Sequence, residues 1–313
     1  MFLQNNKDIK KEVTLGYDLS FLLSSFLYTD LNLEVDLNKL KESHKILRKK
    51  TGVFSDYRFL DLLLSTKMSL SDDPNKYFEN IDKVYKRVNT KRLLSSVYSI
   101  VSSIIINDYN IKDDEIDNVI EKEKVIYEKM KKSHPYLTDV DDIPFTILLS
   151  LNRKDNDPVV DEIEECYNIL KDNVKASKND LYSIAQIICI SEKNYLKNTN
   201  KFLEIYNLLK ENKKHVADGF YLTVLSTLIF IDCDIKKLVE DIIEVDNYIG
   251  CQKGLGLWSY GKSTRLLFAI ILVESVYGDK INNNNTTTAA FISYIVTENL
   301  LITLMILNLA VLD

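Results

Sequence analysis

The sequence predicts an all-α protein, an array of stacked α-helical hairpins that is either solenoid-like or a compact helical bundle. Three observations predict it. Apolar residues recur at 3–4 spacing along the chain, and strand-like alternation is nearly absent. Glycine (8) and proline (4) are scarce among 313 residues, too little turn chemistry for an all-β sandwich or barrel. Residue types that cap helices recur at Ser55, Thr90, Thr138, Ser177, Asp218 and Ser259. A cap side chain accepts from the free N–H groups of a first turn, so these positions mark helix starts. They lie about 40 residues apart, close to the period of helical-repeat solenoids.

Taken in order, Asp36 to Lys50 reads as an amphipathic helix with Leu37, Leu40 and Leu47 on one side. Its basic cluster (Lys39, Lys41, Lys45, Arg48, Lys49, Lys50) reads as a solvated face in a chain that is acidic as a whole. The apolar segment Phe59 to Leu64 is followed by a charged partner, Pro74 to Val88, with proline at the first helical position behind Asp73. Asp113 to Lys132 carries a stripe of Ile116, Val119, Ile120, Tyr127 and Met130 with acidic residues and lysines around it. Then apolar and charged segments alternate. Ile143 to Leu151 precedes Pro158 to Asn173, Leu181 to Ile190 precedes Leu196 to Lys213, and Phe220 to Ile231 precedes Asp234 to Tyr248. Leu266 to Val273 is the last inner segment, followed by the apolar stretch Ala289 to Leu312.

The unit is an inner apolar helix with an outer charged one. A single hairpin cannot bury its inner helix and must stack on its neighbours. One all-α domain over 1–313 is expected, with 1–132 and 133–313 as a possible division into halves. The eighteen tyrosines and twelve phenylalanines fall mostly on apolar stripes and read as core.

A hydrophobic content of 46% with 27% charged residues excludes disorder and collagen-like sequence. The net charge of −6 argues against a nucleic-acid binder, because affinity for a phosphate backbone is built from a Lys/Arg surplus. Cys166, Cys189, Cys233 and Cys251 show no C-x-x-C spacing, and His44, His134 and His215 stand far apart, so no Cys/His metal site is expected. Cys166 and Cys189 sit in helical patterns among apolar neighbours and read as small hydrophobes. Lys7, Asp8, Lys10 and Lys11 precede any apolar run, leaving no signal-peptide pattern, and the cytoplasm is the expected compartment. Ala289 to Leu312 is the one membrane suspect. It is long enough to span a bilayer, but Glu298, Asn299 and Asn308 lie inside it, and a core helix is the preferred reading.

Two motifs bear on chemistry. Gly256 to Ser263 (GLWSYGKS) fits G-x-x-x-x-G-K-[ST], the phosphate-cradling loop of nucleotide hydrolases. Four of the eight glycines (Gly250, Gly254, Gly256, Gly261) lie in or beside it, which suggests unusual backbone dihedrals. Its context contradicts a nucleotide site. The preceding segment is patterned as a helix rather than a buried strand, and too little chain follows for a parallel-sheet fold. A glycine-rich connection opening the next helix is the preferred reading, with weak anion binding by Lys262 and Arg265 between the two extremes. The second motif is His134 to Pro144 (HPYLTDVDDIP), where His134, Asp139, Asp141 and Asp142 stand close together. They could form an oxygen-rich cation site, but the preferred reading is a capping box. In it Thr138 caps, Asp141 reaches back, and Leu137 staples onto the first turn.

The segment His134 to Leu151 (HPYLTDVDDIPFTILLSL) resembles the pattern of a family of bacterial proteins of unknown function, DUF 4003, with an H-P-[FY]-L-T-x-x-D-D core before an apolar helix. Asn179 to Gln186 and Gly256 to Leu266 are also similar to segments of that family. The resemblance implies a helical bacterial protein of the cytoplasm and brings no activity, cofactor or catalytic residue. No G-x-S-x-G elbow, dinucleotide motif or Cys–His pair is present, and Glu164–Glu165 reads as solvated surface. Two functions follow. The first is a non-catalytic interaction or scaffold module with a protein partner, no cofactor and no catalytic residue. The second is a binder of a small anionic or phosphate-bearing ligand, possibly an enzyme, using His134, Asp139, Asp141, Asp142, Lys262 and Arg265.

Overall fold

Helix propensity and the 3.6-residue apolar period carry through to the tertiary structure. The computed structural model describes residues 1–13, 18–52, 55–90, 97–153, 158–190, 194–214, 219–252 and 261–277. These residues form fourteen α-helices and three short 3₁₀ turns, with no strand among them. They fall into two compact units that divide at Ile116 and Asp117.

The first unit holds α1 (Phe2–Glu12), α2 (Asp18–Asp30), α3 (Leu37–Lys50), α4 (Asp61–Leu70), α5 (Pro74–Thr90) and α6 (Val97–Asp108). A 3₁₀ turn, Asp56–Leu60, leads into α4. α2 packs on α4, α3 packs on both α1 and α5, and each of α1, α3 and α5 packs on the helix after it. Two layers result. The inner helices carry continuous apolar runs, such as Tyr98 to Ile106 of α6, buried all round. Outer α3 buries only Leu40, Ser43 and Leu47, one narrow stripe. A helix apolar on every side must be covered on every side, whereas a striped helix can face water. The basic cluster of α3 is indeed a solvated, paired face: Lys41 meets Glu12, Lys50 meets Glu79, and Lys39 donates to the Ser71 carbonyl.

α1, α2 and α6 have no counterpart in the sequence reading. α1 is mostly polar, and its buried Asn5 does work that no hydrophobic pattern reveals. The Asn5 amide donates to the Leu33 carbonyl at 3.0 Å and its oxygen accepts from the Val35 N–H at 3.0 Å, fixing the loop into α3. Buried backbone groups outside helices need such partners, each bond contributing about 1 kcal/mol.

The second unit holds α7 (Ile116–Ser133), α8 (Ile143–Asn152), α9 (Val159–Asn173), α10 (Lys178–Ile188), α11 (Tyr195–Glu211), α12 (Phe220–Ser226), α13 (Ile235–Gly250) and α14 (Gly261–Tyr277). The 3₁₀ turn Val140–Asp142 precedes α8, and Thr227–Phe230 extends α12. α8, α10, α12 and α14 pack in succession as the inner layer, and α9, α11 and α13 pack in succession outside them. Ile143 to Ser150 of α8 is buried without a break, while α9 buries Val159, Val160, Ile163, Cys166, Tyr167 and Leu170 on one face. Each fully buried Ile or Leu contributes about 1.5–3 kcal/mol relative to exposure, so the inner layer carries most of the driving force.

The expected capping residues divide into hits and misses. Ser177 caps α10 through its side chain, and Asp73 accepts from the N–H groups of Asn75 and Lys76 ahead of α5, while Asp36 and Asp234, not among the expected caps, cap α3 and α13. Ser55 stands at the 3₁₀ turn without a side-chain cap bond, and Thr90 ends α5 rather than starting a helix. Pro158 is the residue before α9 rather than its first. Asp218, Ser259 and the stretch 289–312 lie outside the described residues. Among the described residues no helix is long and apolar enough to cross a membrane.

Candidate functional site

The segment after α7 is a short, tightly bonded turn. The carbonyl of His134 accepts from the N–H groups of Leu137 at 3.2 Å and Thr138 at 3.1 Å, and Lys131 Nζ donates to the Thr138 carbonyl. A capping box then starts the helix, shifted one residue from the sequence expectation. The cap is Asp139, not Thr138, and Asp142, not Asp141, reaches back to accept from the Asp139 N–H at 2.9 Å. Thr138 is buried and Asp141 is exposed. The sequence fits both registers. The buried one is set by α10, whose Gln186 Nε2 donates to Asp142 Oδ1 at 2.6 Å.

His134 is held from the other side. Its Nε2 lies 2.6 Å from Glu164 Oε2 on α9, and the second oxygen of that carboxylate accepts from the Tyr182 hydroxyl at 3.2 Å. The imidazole packs edge-on against Tyr167 and Tyr182, with centroids 5.4 and 5.1 Å away, and the two phenol rings meet at 5.6 Å. Such edge-to-face pairs contribute about 0.5–1.5 kcal/mol beyond their buried area. Glu164 is therefore the hub of the cluster rather than solvated surface. Glu165 beside it is exposed and accepts from Tyr195 at 2.6 Å. A charged helix face does not reveal which of two adjacent carboxylates turns inward. The only available signal is that Glu164 precedes the apolar Tyr167 by three residues and so shares its stripe.

Burial decides the electrostatics. Asp142 is 3% exposed, and desolvation together with the nearby charge of Asp141 pushes its pKa up to about 7, against the opposing hydrogen bond from Gln186. Burial and the charge of Glu164 also raise the Tyr182 hydroxyl, which stays a neutral donor. Gln186 Oε1 is buried without a hydrogen-bond partner among the described residues. One side chain of the segment points the other way. Tyr136 is 95% exposed, the most exposed of the large hydrophobic side chains described.

The other proposed site residues lie on α14. Lys262 is exposed in its first turn. Arg265 makes a two-pronged pair with Asp246 of α13, Nε to Oδ1 at 2.6 Å and Nη2 to Oδ2 at 3.1 Å, and Lys214 joins the same carboxylate. Burial alone would raise the Asp246 carboxyl, but the bonds from Arg265 and Lys214 outweigh it and hold the carboxyl below the usual range. Gly250 closes this cluster. It is helical, and a Cβ there would stand 2.8 Å from Arg265 Nη1, so space rather than an unusual dihedral calls for glycine. Gly261 does have a positive φ, +76°, at the start of α14. Gly254 and Gly256 lie outside the described residues.

The structure thus brings His134, Asp139, Asp141 and Asp142 together in one turn and places Lys262 and Arg265 on a helix that packs on α12 and α13. No hydrogen bond or ion pair among the described residues joins the two groups. The element before the glycine–lysine motif is the helix α13, where a phosphate-cradling loop follows a buried strand. Among the described residues no three side chains of His, Cys, Asp or Glu are grouped to hold a metal ion.

No solved structure matches the chain. It is similar to an uncharacterised protein of Bacillus subtilis (strain 168), YeaA, at 20% identity over 229 residues that cover 72% of this chain and 69% of that one. A family model described as protein of unknown function (DUF4003) matches residues 5–299, and the site residues His134 to Arg265 all lie within that span. The chain belongs to the DUF4003 family.

Proposed function

We propose that this chain is a non-catalytic interaction module that recognises a protein partner, built from helical hairpins and working in the bacterial cytoplasm. One observation carries the reading. The reactive side chains of the 134–142 turn spend their hydrogen bonds on Glu164, Gln186 and the turn's own backbone, and the turn presents Tyr136, 95% exposed, to solvent. An aromatic carried on a tightly hydrogen-bonded turn has few rotatable bonds to fix on binding, and tyrosine is enriched among residues that dominate interface energies. The four cysteines are free thiols, in keeping with a reducing compartment.

Tyr136→Ala tests the proposal. The protein, purified from its native cells at endogenous level, is expected to carry a stoichiometric protein partner. The variant is expected to lose that partner by tenfold or more with unchanged helicity and melting temperature. A wild-type protein that purifies without any protein partner, or a variant that keeps it fully, overturns the reading. The second reading, an anionic ligand held by His134, Asp139, Asp141, Asp142, Lys262 and Arg265, has less support. Three of those six residues are carboxylic, and the guanidinium of Arg265 is already neutralised by Asp246.

A further inference from the structure

Neighbouring helices of the outer layer in the second unit pack on one another from α9 to α11 and from α11 to α13. Between α7 and the start of α9 the layer instead opens into a cavity of about 570 Å³. One stripe of α7 lines it, Lys122, Val125, Ile126, Lys129 and Lys132, facing Val159, Val160 and Asp161 of α9. These α7 positions recur at helical spacing, so they share a face by construction.

The charges on that lining are unequal. Arg153 is spent at the edge, donating to Glu162 at 2.8 Å and to the Cys189 carbonyl, and Lys122 Nζ donates to the Arg153 carbonyl. Lys129 and Lys132, one turn apart and both exposed, make no hydrogen bond or ion pair among the described residues. Asp161 is the one carboxylate of the described lining. Apolar wall is also present, with Val125 52% exposed beside the two lysines. Two unpaired ammonium groups on the rim of a concave, part-apolar recess suit a compact ligand with two or more negative charges. The volume falls within the range of about 300–1,000 Å³ typical of small-molecule sites.

We infer that the α7–α9 cavity binds a small polyanion, with Lys129 and Lys132 as its charge-bearing contacts. Its lining runs to Ser133, next to the Tyr136 turn, but includes no residue of that turn and neither Lys262 nor Arg265, so the inference does not rest on Tyr136 engaging a partner. An acidic chain with net charge −6 gains no general affinity for anions, so saturable binding has to come from a local arrangement of this kind.

Isothermal titration of the full chain with inorganic pyrophosphate and with citrate tests the inference. Saturable binding of either probe is expected, weakening with added salt as a lysine–anion contact does, and the preferred probe tells a phosphate-bearing ligand from a polycarboxylate. Lys129→Gln with Lys132→Gln is expected to weaken binding by tenfold or more without changing the melting temperature. A control of equal charge change, Lys45→Gln with Lys49→Gln on exposed α3, is expected to leave it unaltered. The inference is overturned by no saturable binding of either probe, by equal losses in the two double variants, or by loss on Lys262→Ala with the groove variant intact.

Discussion

Asp142 and Asp246 are the same residue type, nearly equally removed from water at 3% and 1% exposure, yet their carboxyls are driven in opposite directions. Asp142 meets an amide, Gln186, and a like charge, Asp141, and its pKa rises to about 7. Asp246 meets a guanidinium and an ammonium and is held below the usual range. Burial costs both of them the ionised form. The partners then decide whether the cost is met by taking up a proton or by pairing with a cation. One cluster exchanges a proton near neutral pH, and the other is an ionic clasp that joins Lys214, just beyond α11, to α13 and α14.

The sharpest way to break this comparison is pH. With an ordinary pKa of 3.8 when unfolded and about 7 when folded, Asp142 leaves the native protein holding an extra proton between those values. Stability therefore falls as pH rises through this window, by about 4 kcal/mol in total from this group. Asp246, shifted the other way, contributes stability above the carboxylate range and loses it only as pH falls through its lowered folded value. Urea titrations from pH 4 to pH 7 are expected to show a declining wild-type profile and a distinctly flatter one for Asp142→Asn. Parallel profiles would refute the neutral state of Asp142.

The next effect is the ionic clasp itself. Asp246→Ala leaves Arg265 and Lys214 without their shared acceptor in a largely buried setting, and a loss of about 3 kcal/mol at neutral pH is expected in urea unfolding. A loss under about 1 kcal/mol would mean that both cations reach water as easily as surface groups do. The smallest effect sharpens the same point. Gly250→Ala gains helix propensity of up to about 1 kcal/mol but pushes a methyl into Arg265. If the arginine is fixed by Asp246, the net change is a destabilisation of about 1 kcal/mol, read from the shift in the urea midpoint. A stabilised variant would show the guanidinium to be free to move aside.

The inner helices that were read were legible because a buried helix needs apolar residues all round, and the runs Ile143 to Leu151 and Leu181 to Ile190 write that need directly into the chain. Outer helices such as α3 and α9 were legible through their stripes. α1 escaped because its buried contacts are made by asparagines, which look the same in sequence whether they face a loop carbonyl or solvent. The turn before α8 was legible as a capping box but not in its register. Thr138 with Asp141 and Asp139 with Asp142 satisfy the same local rule, and a residue 44 positions on, Gln186, selects between them. Glu164 was misplaced for a similar reason, since beyond its three-residue spacing to Tyr167 it is the approach of His134 and Tyr182 that separates it from Glu165.

By itself the sequence determined the helical class, the alternation of inner and outer helices and several helix starts, among them those of α5, α8 and α12, because these rest on spacings of a few residues that local sterics, capping and hydrophobic burial read out. Only the tertiary structure decided which polar side chains are spent and which remain available. It paired Arg265 with Asp246, turned Glu164 inward, left Tyr136 outside and opened the cavity beside Lys129 and Lys132. Hydrogen bonding and desolvation act over a few ångströms, between groups the chain separates by tens of residues, so charge state and availability belong to the fold and not to the local sequence.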